Sequence, residues 1–133
     1  MSLLTPEEEE KIAKGIAKVG IGGLRRHLFL CAGPKCCSAE VGEEAWGFLK
    51  TRIAELGLNV GVAATARSRC HCLHICSGGP IGVVYPEGIW YRDLTKENLE
   101  RVLQEHIRDG SVVEELVIAR GPLPGDDDAE PWL

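Results

Sequence analysis

The sequence predicts an α/β fold, one mixed sheet with helices packed on it, from three observations. The short apolar run His27–Cys31 is followed by an amphipathic helical pattern and then by a β-forming stretch, the order of a right-handed parallel crossover. Pro80–Tyr91 reads as a β-hairpin, because β-formers flank Pro86-Glu87-Gly88, where proline presets a turn and glycine tolerates a positive φ. A last helical pattern follows Thr95. The order β-α-β, then β-β-α, places two helices against one sheet.

Each element carries its own signals. Thr5-Pro6-Glu7-Glu8 is a capping box with proline at the first helical position, and Ile12, Ile16 and Val19 form a thin apolar stripe ended by Gly20, Gly22 and Gly23. This predicts an appended helix over 6–19. The second helix starts near Ser38 to Gly42, presents Val41, Ala45, Trp46, Leu49, Ile53 and Leu56 on one face, and stops at Gly57. The second strand is expected over 58–64, leaving 67–80 as a loop. The last helix buries Leu99, Val102, Leu103, His106 and Ile107 and ends at Gly110; Glu97 and Arg101 are spaced as an i,i+4 pair. Val112–Ala119 reads as weakly extended, and the proline- and aspartate-rich stretch from Gly121 as disordered. The expected organisation is a helical extension over 1–24, one domain over 25–120 and an acidic tail over 121–133. At coarse resolution this is the thioredoxin-like arrangement.

Composition narrows the class. A net charge of −5 argues against a general nucleic-acid binder. No apolar run reaches the roughly 20 residues of a membrane span. The acidic start, M-S-L-L-T-P-E-E-E-E, does not resemble a secretory signal, which predicts a cytoplasmic protein. In that reducing compartment six cysteines point to metal or redox chemistry more than to disulfides.

The cysteines fall in two groups. Cys31, Cys36 and Cys37 lie in L-F-L-C-A-G-P-K-C-C, and Cys70, Cys72 and Cys76 in R-S-R-C-H-C-L-H-I-C-S-G-G-P. Cys31 and Cys36 are spaced C-x4-C, Cys72 and Cys76 C-x3-C. A loop of either length folds back so that both sulfurs face one ion. Two such pairs supply the four thiolates of a [2Fe–2S] cluster or of a structural zinc site. Spacing alone does not choose between Cys36 and Cys37, or between Cys70 and Cys72. The spacings of plant-type and two-cluster bacterial ferredoxins are absent, the first loop lacks the histidine a Rieske centre would need, and no pair has the catalytic C-x-x-C spacing.

The block C-L-H-I-C-S-G-G-P-I-G-V-V-Y-P-E-G-I-W-Y, the helix L-E-R-V-L-Q-E-H-I, and upstream H-L-F-L-C-A-G-P-K-C-C and G-E-E-A-W-G-F-L-K closely resemble the thioredoxin-like [2Fe–2S] ferredoxins over roughly 27–119. The ligand pattern is also similar to that of the small [2Fe–2S] subunit of respiratory NADH dehydrogenases and related hydrogenases. The resemblance implies one [2Fe–2S] cluster near the surface, one-electron transfer with redox partner proteins, and a homodimer. It maps ligands onto Cys31, Cys72 and Cys76 and favours Cys36 as the fourth; Cys70 matches no ligand position. It implies a carrier and not an enzyme. A zinc- or cluster-binding regulatory module and an accessory subunit of a larger redox complex are the alternatives. No G-x-G-x-x-G fingerprint follows a strand, so dinucleotide oxidation is not expected of this chain.

Around the cysteines, His71 and His74 read as surface or outer-shell groups, and Arg67, Arg69 and Lys35 either as solvated residues or as cations that offset thiolate charge and dock an acidic partner. Trp46, Trp90, Tyr85 and Tyr91 read as core or dimer contacts. Gly78 and Gly79 allow close backbone approach to the site, and Pro80 stands where this fold commonly places a cis proline.

Overall fold

The computed structural model describes residues 3–123. Strands β1 (Arg26–Cys31), β2 (Thr65–Cys70), β3 (Ile81–Tyr85), β4 (Ile89–Tyr91) and β5 (Val117–Arg120) form one sheet in the spatial order β2-β1-β3-β4-β5. β1 and β2 run parallel and the other neighbours antiparallel, so the crossover and the hairpin both form as the sequence predicts. Alternation along β1 divides the sheet. Leu28 and Leu30 point into the main core, opposite Val84 and Gly82 of β3. Phe29 and Cys31 share the other face with Val83 and Ile81.

Helix α2 (Ala39–Glu55) and helix α3 (Lys96–Arg101) cover the first face. α3 continues without a break as a π-helix, Val102–Arg108. Ala45, Leu49 and Ile53 of α2 meet Leu99, Val102, Leu103 and Ile107 over Leu28, Leu30, Val84, Ile89 and Tyr91. Each buried leucine or isoleucine contributes roughly 1.5–3 kcal/mol relative to exposure. Helix α1 (Pro6–Val19) has the expected capping box between Thr5 and Glu8 and ends at Gly20 in the left-handed conformation, but buries none of its residues. No helix among the described residues is long and apolar enough to cross a membrane.

Four expectations need correction. The second strand is Thr65–Cys70, not 58–64, so Arg67, Arg69 and Cys70 belong to a strand and the second cysteine loop is only 71–80. T-A-R-S-R-C lacks an apolar run because β2 is an edge strand, where charged side chains are favoured. Val41 is exposed, and Gly42 takes its place on the inner face of α2. Arg101 pairs with Glu105 and Glu115, not with Glu97. The weakly extended stretch 112–119 contains a 3-10 turn, Glu114–Leu116, before β5. Of the tail expected to be disordered, 124–133 lies outside the described residues.

A polar network runs from Arg26 and Glu87, at the hairpin-turn end of the sheet, through His106 to Tyr91. His106 is fully buried; its Nδ1 lies 2.8 Å from the Tyr91 hydroxyl and its Nε2 2.8 Å from Glu87 Oε2. Arg26 donates to the same Glu87 oxygen at 2.7 Å and to the Ile107 carbonyl at 3.1 Å. The backbone N–H of Val113 donates to the Tyr91 hydroxyl, which leaves the phenol's own hydrogen for His106 Nδ1 and makes Nε2–H the donor to Glu87. Burial pushes the Tyr91 phenol up to about 12, so it remains a donor.

Candidate metal centre

Two loops leave the same end of the sheet. The first joins β1 to α2 and carries Cys36 and Cys37; the second joins β2 to β3 and carries Cys72 and Cys76. Because β1 and β2 are parallel and in register, Cys31 and Cys70 end neighbouring strands side by side, and β3 begins with Ile81 opposite Cys31. The topology therefore brings both cysteine groups to one edge.

The first loop is fixed at both ends. Ser38 caps α2 by accepting from the Val41 N–H at 3.2 Å. Gly42 lies so near the loop that a Cβ there would sit 1.7 Å from the Ala32 carbonyl oxygen. A glycine inside a helical pattern was the available sequence signal for this approach. Between these anchors Cys31 and Cys36 are buried, with their sulfurs 3.3 Å apart. That is well beyond the roughly 2.05 Å of a disulfide and near the about 3.8 Å between two sulfurs on one tetrahedral ion with bonds of about 2.3 Å. Cys37 is half-buried, 3.9 Å from the Cys36 sulfur. Burial first, then the neighbouring Cys36 and Cys31, push its thiol up to about 11.

The second loop touches the first through its glycines. The Gly79 N–H donates to the Cys36 carbonyl at 2.8 Å, and a Cβ on Gly79 would lie 2.6 Å from the Cys36 sulfur. Leu73 and Trp90 pack against Cys31, Cys36 and Ile81. The Gly79–Pro80 peptide is cis, as the position of Pro80 in the sequence suggests. Within this loop the His74 N–H donates to the Cys72 sulfur at 3.2 Å, which requires His74 to adopt a φ of 66°. Cys76, His71 and His74 are exposed and Cys72 is half-buried. Cys70 is also half-buried; burial, then Cys31, raises its thiol.

Cys31 and Cys36 are thus brought together, while Cys72 and Cys76 remain on the neighbouring loop. Among the described residues no three His, Cys, Asp or Glu side chains converge as a metal-holding group. The cations do not converge on the sulfurs either. Arg69 is engaged by Glu43, whose carboxyl is held below its ordinary value by that hydrogen bond and by the arginine's charge. Arg67 lies over the Trp46 ring, and Lys35 is exposed. The residues nonetheless fit a metal–sulfur group. Two thiols stand at nearly the separation of ligands, a backbone N–H already points at a third, and glycines without side chains let the two loops meet.

Thiols from two loops at one end of a thioredoxin-like sheet define a sulfur-liganded metal protein. No family model matches the chain. It is 32% identical over 98 residues to a putative 2Fe-2S ferredoxin of Priestia megaterium, covering 74% of this chain and 73% of that one. Identity is also 32% over 98 residues to the 2Fe-2S ferredoxin of Clostridium pasteurianum, covering 71% of this chain and 96% of that one. Among solved structures, a thioredoxin-like [2Fe–2S] ferredoxin from Aquifex aeolicus superposes with a TM-score of 0.62 at 28% identity, over 77% of this chain and 97% of that one. Two cysteine-to-serine variants of the Aquifex ferredoxin superpose as well, each with a TM-score of 0.59 at 26% identity, over 71% of this chain and 98% of theirs. The chain belongs to the thioredoxin-like [2Fe–2S] ferredoxins, iron–sulfur electron carriers, and its cofactor is a [2Fe–2S] cluster.

Proposed function

We propose that Cys31, Cys36, Cys72 and Cys76 hold the cluster and that the chain passes single electrons between redox partner proteins. The observation that carries the ligand set is the 3.3 Å approach of the Cys31 and Cys36 sulfurs, beside a second loop tied to Cys36 through Gly79. The two substituted cysteines of the Aquifex variants are separated by three residues in that chain, the spacing of Cys72 and Cys76 here, which supports assigning the other two ligands to that pair.

When bound, the cluster supplies a reversible one-electron couple. The chain supplies the rest. Burial of Cys31 and Cys36 lowers the local dielectric around their thiolates, and the His74 N–H stabilises negative charge on Cys72. The exposed side of the second loop leaves a short path to a docked partner, with Lys35, His71 and His74 as the contact groups nearest in sequence to the cysteines. The chain acts as a carrier without bond-making chemistry of its own, as a homodimer in the cytoplasm. Residues 25–120 form the cluster domain and 1–24 an added helix, a division supported by a neighbour that is matched almost end to end by about three quarters of this chain.

Anaerobic purification followed by visible spectroscopy, and low-temperature electron paramagnetic resonance after dithionite reduction, test this reading. A red-brown protein whose one-electron-reduced form is paramagnetic is expected. A colourless protein with stoichiometric zinc would overturn it.

A further inference from the structure

A cleft of about 370 Å³ lies at the outer edge of the sheet, where Lys18 and Val19 at the end of α1 face Asn59 and Thr65, Ala66 and Arg67 of β2. It sits at the start of β2, whereas the cysteine loops leave the other end of that strand. Its lining holds two cations, an amide and a hydroxyl, and no carboxylate.

Arg67 differs from the arginines around it. Arg52 is paired with Glu100 and Arg69 with Glu43. Arg67 has no acid partner among the described residues, and its Nε is buried with no hydrogen-bond acceptor. Its guanidinium is held 5.7 Å from the centroid of the Trp46 ring, whose position Lys50 shares at 5.9 Å. A cation–π contact with an aromatic ring holds the guanidinium and satisfies part of its charge, but not its hydrogen-bonding capacity. A half-buried arginine held in place, with an unused Nε donor and a lysine on the same acid-free cleft, has the chemistry that recognises an oxyanion.

We propose that this cleft binds a phosphate group, with Arg67 and Lys18 supplying the charge and Thr65 and Asn59 neutral hydrogen bonds. The cleft volume falls in the range of small-molecule sites, so it accommodates either the free ion or a phosphate carried on a small organic body. The site is independent of the cysteine loops and lies beyond the electron-carrier reading.

Isothermal titration calorimetry of the cluster-loaded full chain tests it, with inorganic phosphate and glycerol 3-phosphate titrated separately into buffer matched in ionic strength with chloride. Saturable binding of at least one is expected, weakened roughly tenfold or more in Arg67→Gln, as loss of a hydrogen bond to a charged group implies. Lys18→Gln should also weaken it, whereas Lys14→Gln, one turn earlier on α1 and paired with Glu10, should not. Tighter binding of glycerol 3-phosphate identifies an organic phosphate as the ligand; equal or tighter binding of inorganic phosphate identifies the free ion. Heats no different from chloride dilution, or Arg67→Gln binding as tightly as the parent, overturn the proposal. The visible cluster spectrum checks that each variant is folded, and if Arg67→Gln is not, Lys18→Gln carries the test.

Discussion

The Cys36 sulfur lies 3.3 Å from that of Cys31 and 3.9 Å from that of its chain neighbour Cys37. The proposed ligand set gives the adjacent cysteines different roles. Cys36 is buried beside Cys31 at the end of its strand, and Cys37 is half-buried. Cys36→Ser should abolish or alter the native visible and paramagnetic spectra. Its effect should exceed the roughly 10- to 100-fold affinity loss typical of an outer-shell change. Cys37→Ser should leave both spectra in place. Spectra recorded on the two variants, prepared anaerobically side by side, decide the matter; loss confined to Cys37→Ser would falsify the assignment.

The network of Arg26, Glu87, His106 and Tyr91 predicts an acid limit to stability. Burial lowers the folded-state pKa of His106 below its ordinary value of 6.5, despite the opposing effect of its hydrogen bond to Glu87. As pH falls below 6.5 the unfolded chain takes up the proton first, so stability declines. Burial raises Glu87, but hydrogen bonds from Arg26 and His106 outweigh it and hold the carboxyl below its ordinary 4.5. That contribution is fully present above 4.5 and is lost as pH falls through the folded-state value. Both groups thus destabilise the fold in the same direction. Urea midpoints measured from pH 7.5 to 4 should fall steadily below pH 6.5, and His106→Gln should flatten the upper part of that decline. A parent protein equally stable at pH 7 and 5 contradicts the network's role.

Much of this was legible in the sequence, and the reason differs from element to element. The hairpin was readable because proline and glycine at the turn and β-formers beside it are local signals. The inner face of the last helix was readable because Leu99, Val102, Leu103, His106 and Ile107 repeat at helical spacing. β2 was not readable: an edge strand gains its place from backbone pairing with β1, so T-A-R-S-R-C needs no apolar run. The two cysteine groups were legible in the sequence, whereas the 3.3 Å approach of Cys31 and Cys36 depends on how Gly42 and Gly79 seat the first loop. The contact of Arg67 with Trp46 and of Arg101 with Glu115 is tertiary and leaves no trace in local spacing, whereas Arg101–Glu105 is an i,i+4 pair as local as the expected Glu97–Arg101 one.

Because α1 buries none of its residues, removing 1–24 should leave the cluster domain intact. The truncated chain should show the parent's visible spectrum and a urea midpoint close to the parent's. Loss of the spectrum on truncation would mean that the helix supports the site through contacts its exposed stripe does not make within one chain.

Helix α2 contains two glycines with opposite predictions. At Gly47 a Cβ would meet nothing within 4 Å, so Gly47→Ala removes only the conformational cost of glycine and should stabilise by about 0.5–1 kcal/mol. At Gly42 the same change places a Cβ 1.7 Å from the Ala32 carbonyl oxygen, a backbone atom that cannot rotate away. Gly42→Ala must push the first turn of α2 off the loop that seats Cys36. It should cost about 1–3 kcal/mol, the range for overpacking. Gly79→Ala would bring a Cβ within 2.6 Å of the Cys36 sulfur and 2.8 Å of its carbonyl oxygen. It should disturb the meeting of the two loops more than the helix, so its signature is a changed cluster spectrum beyond any shift in urea midpoint. Circular dichroism melts and visible spectra of the three variants separate these effects. A Gly42→Ala protein as stable as Gly47→Ala, with an unaltered spectrum, would show that α2 does not hold the first cysteine loop in place.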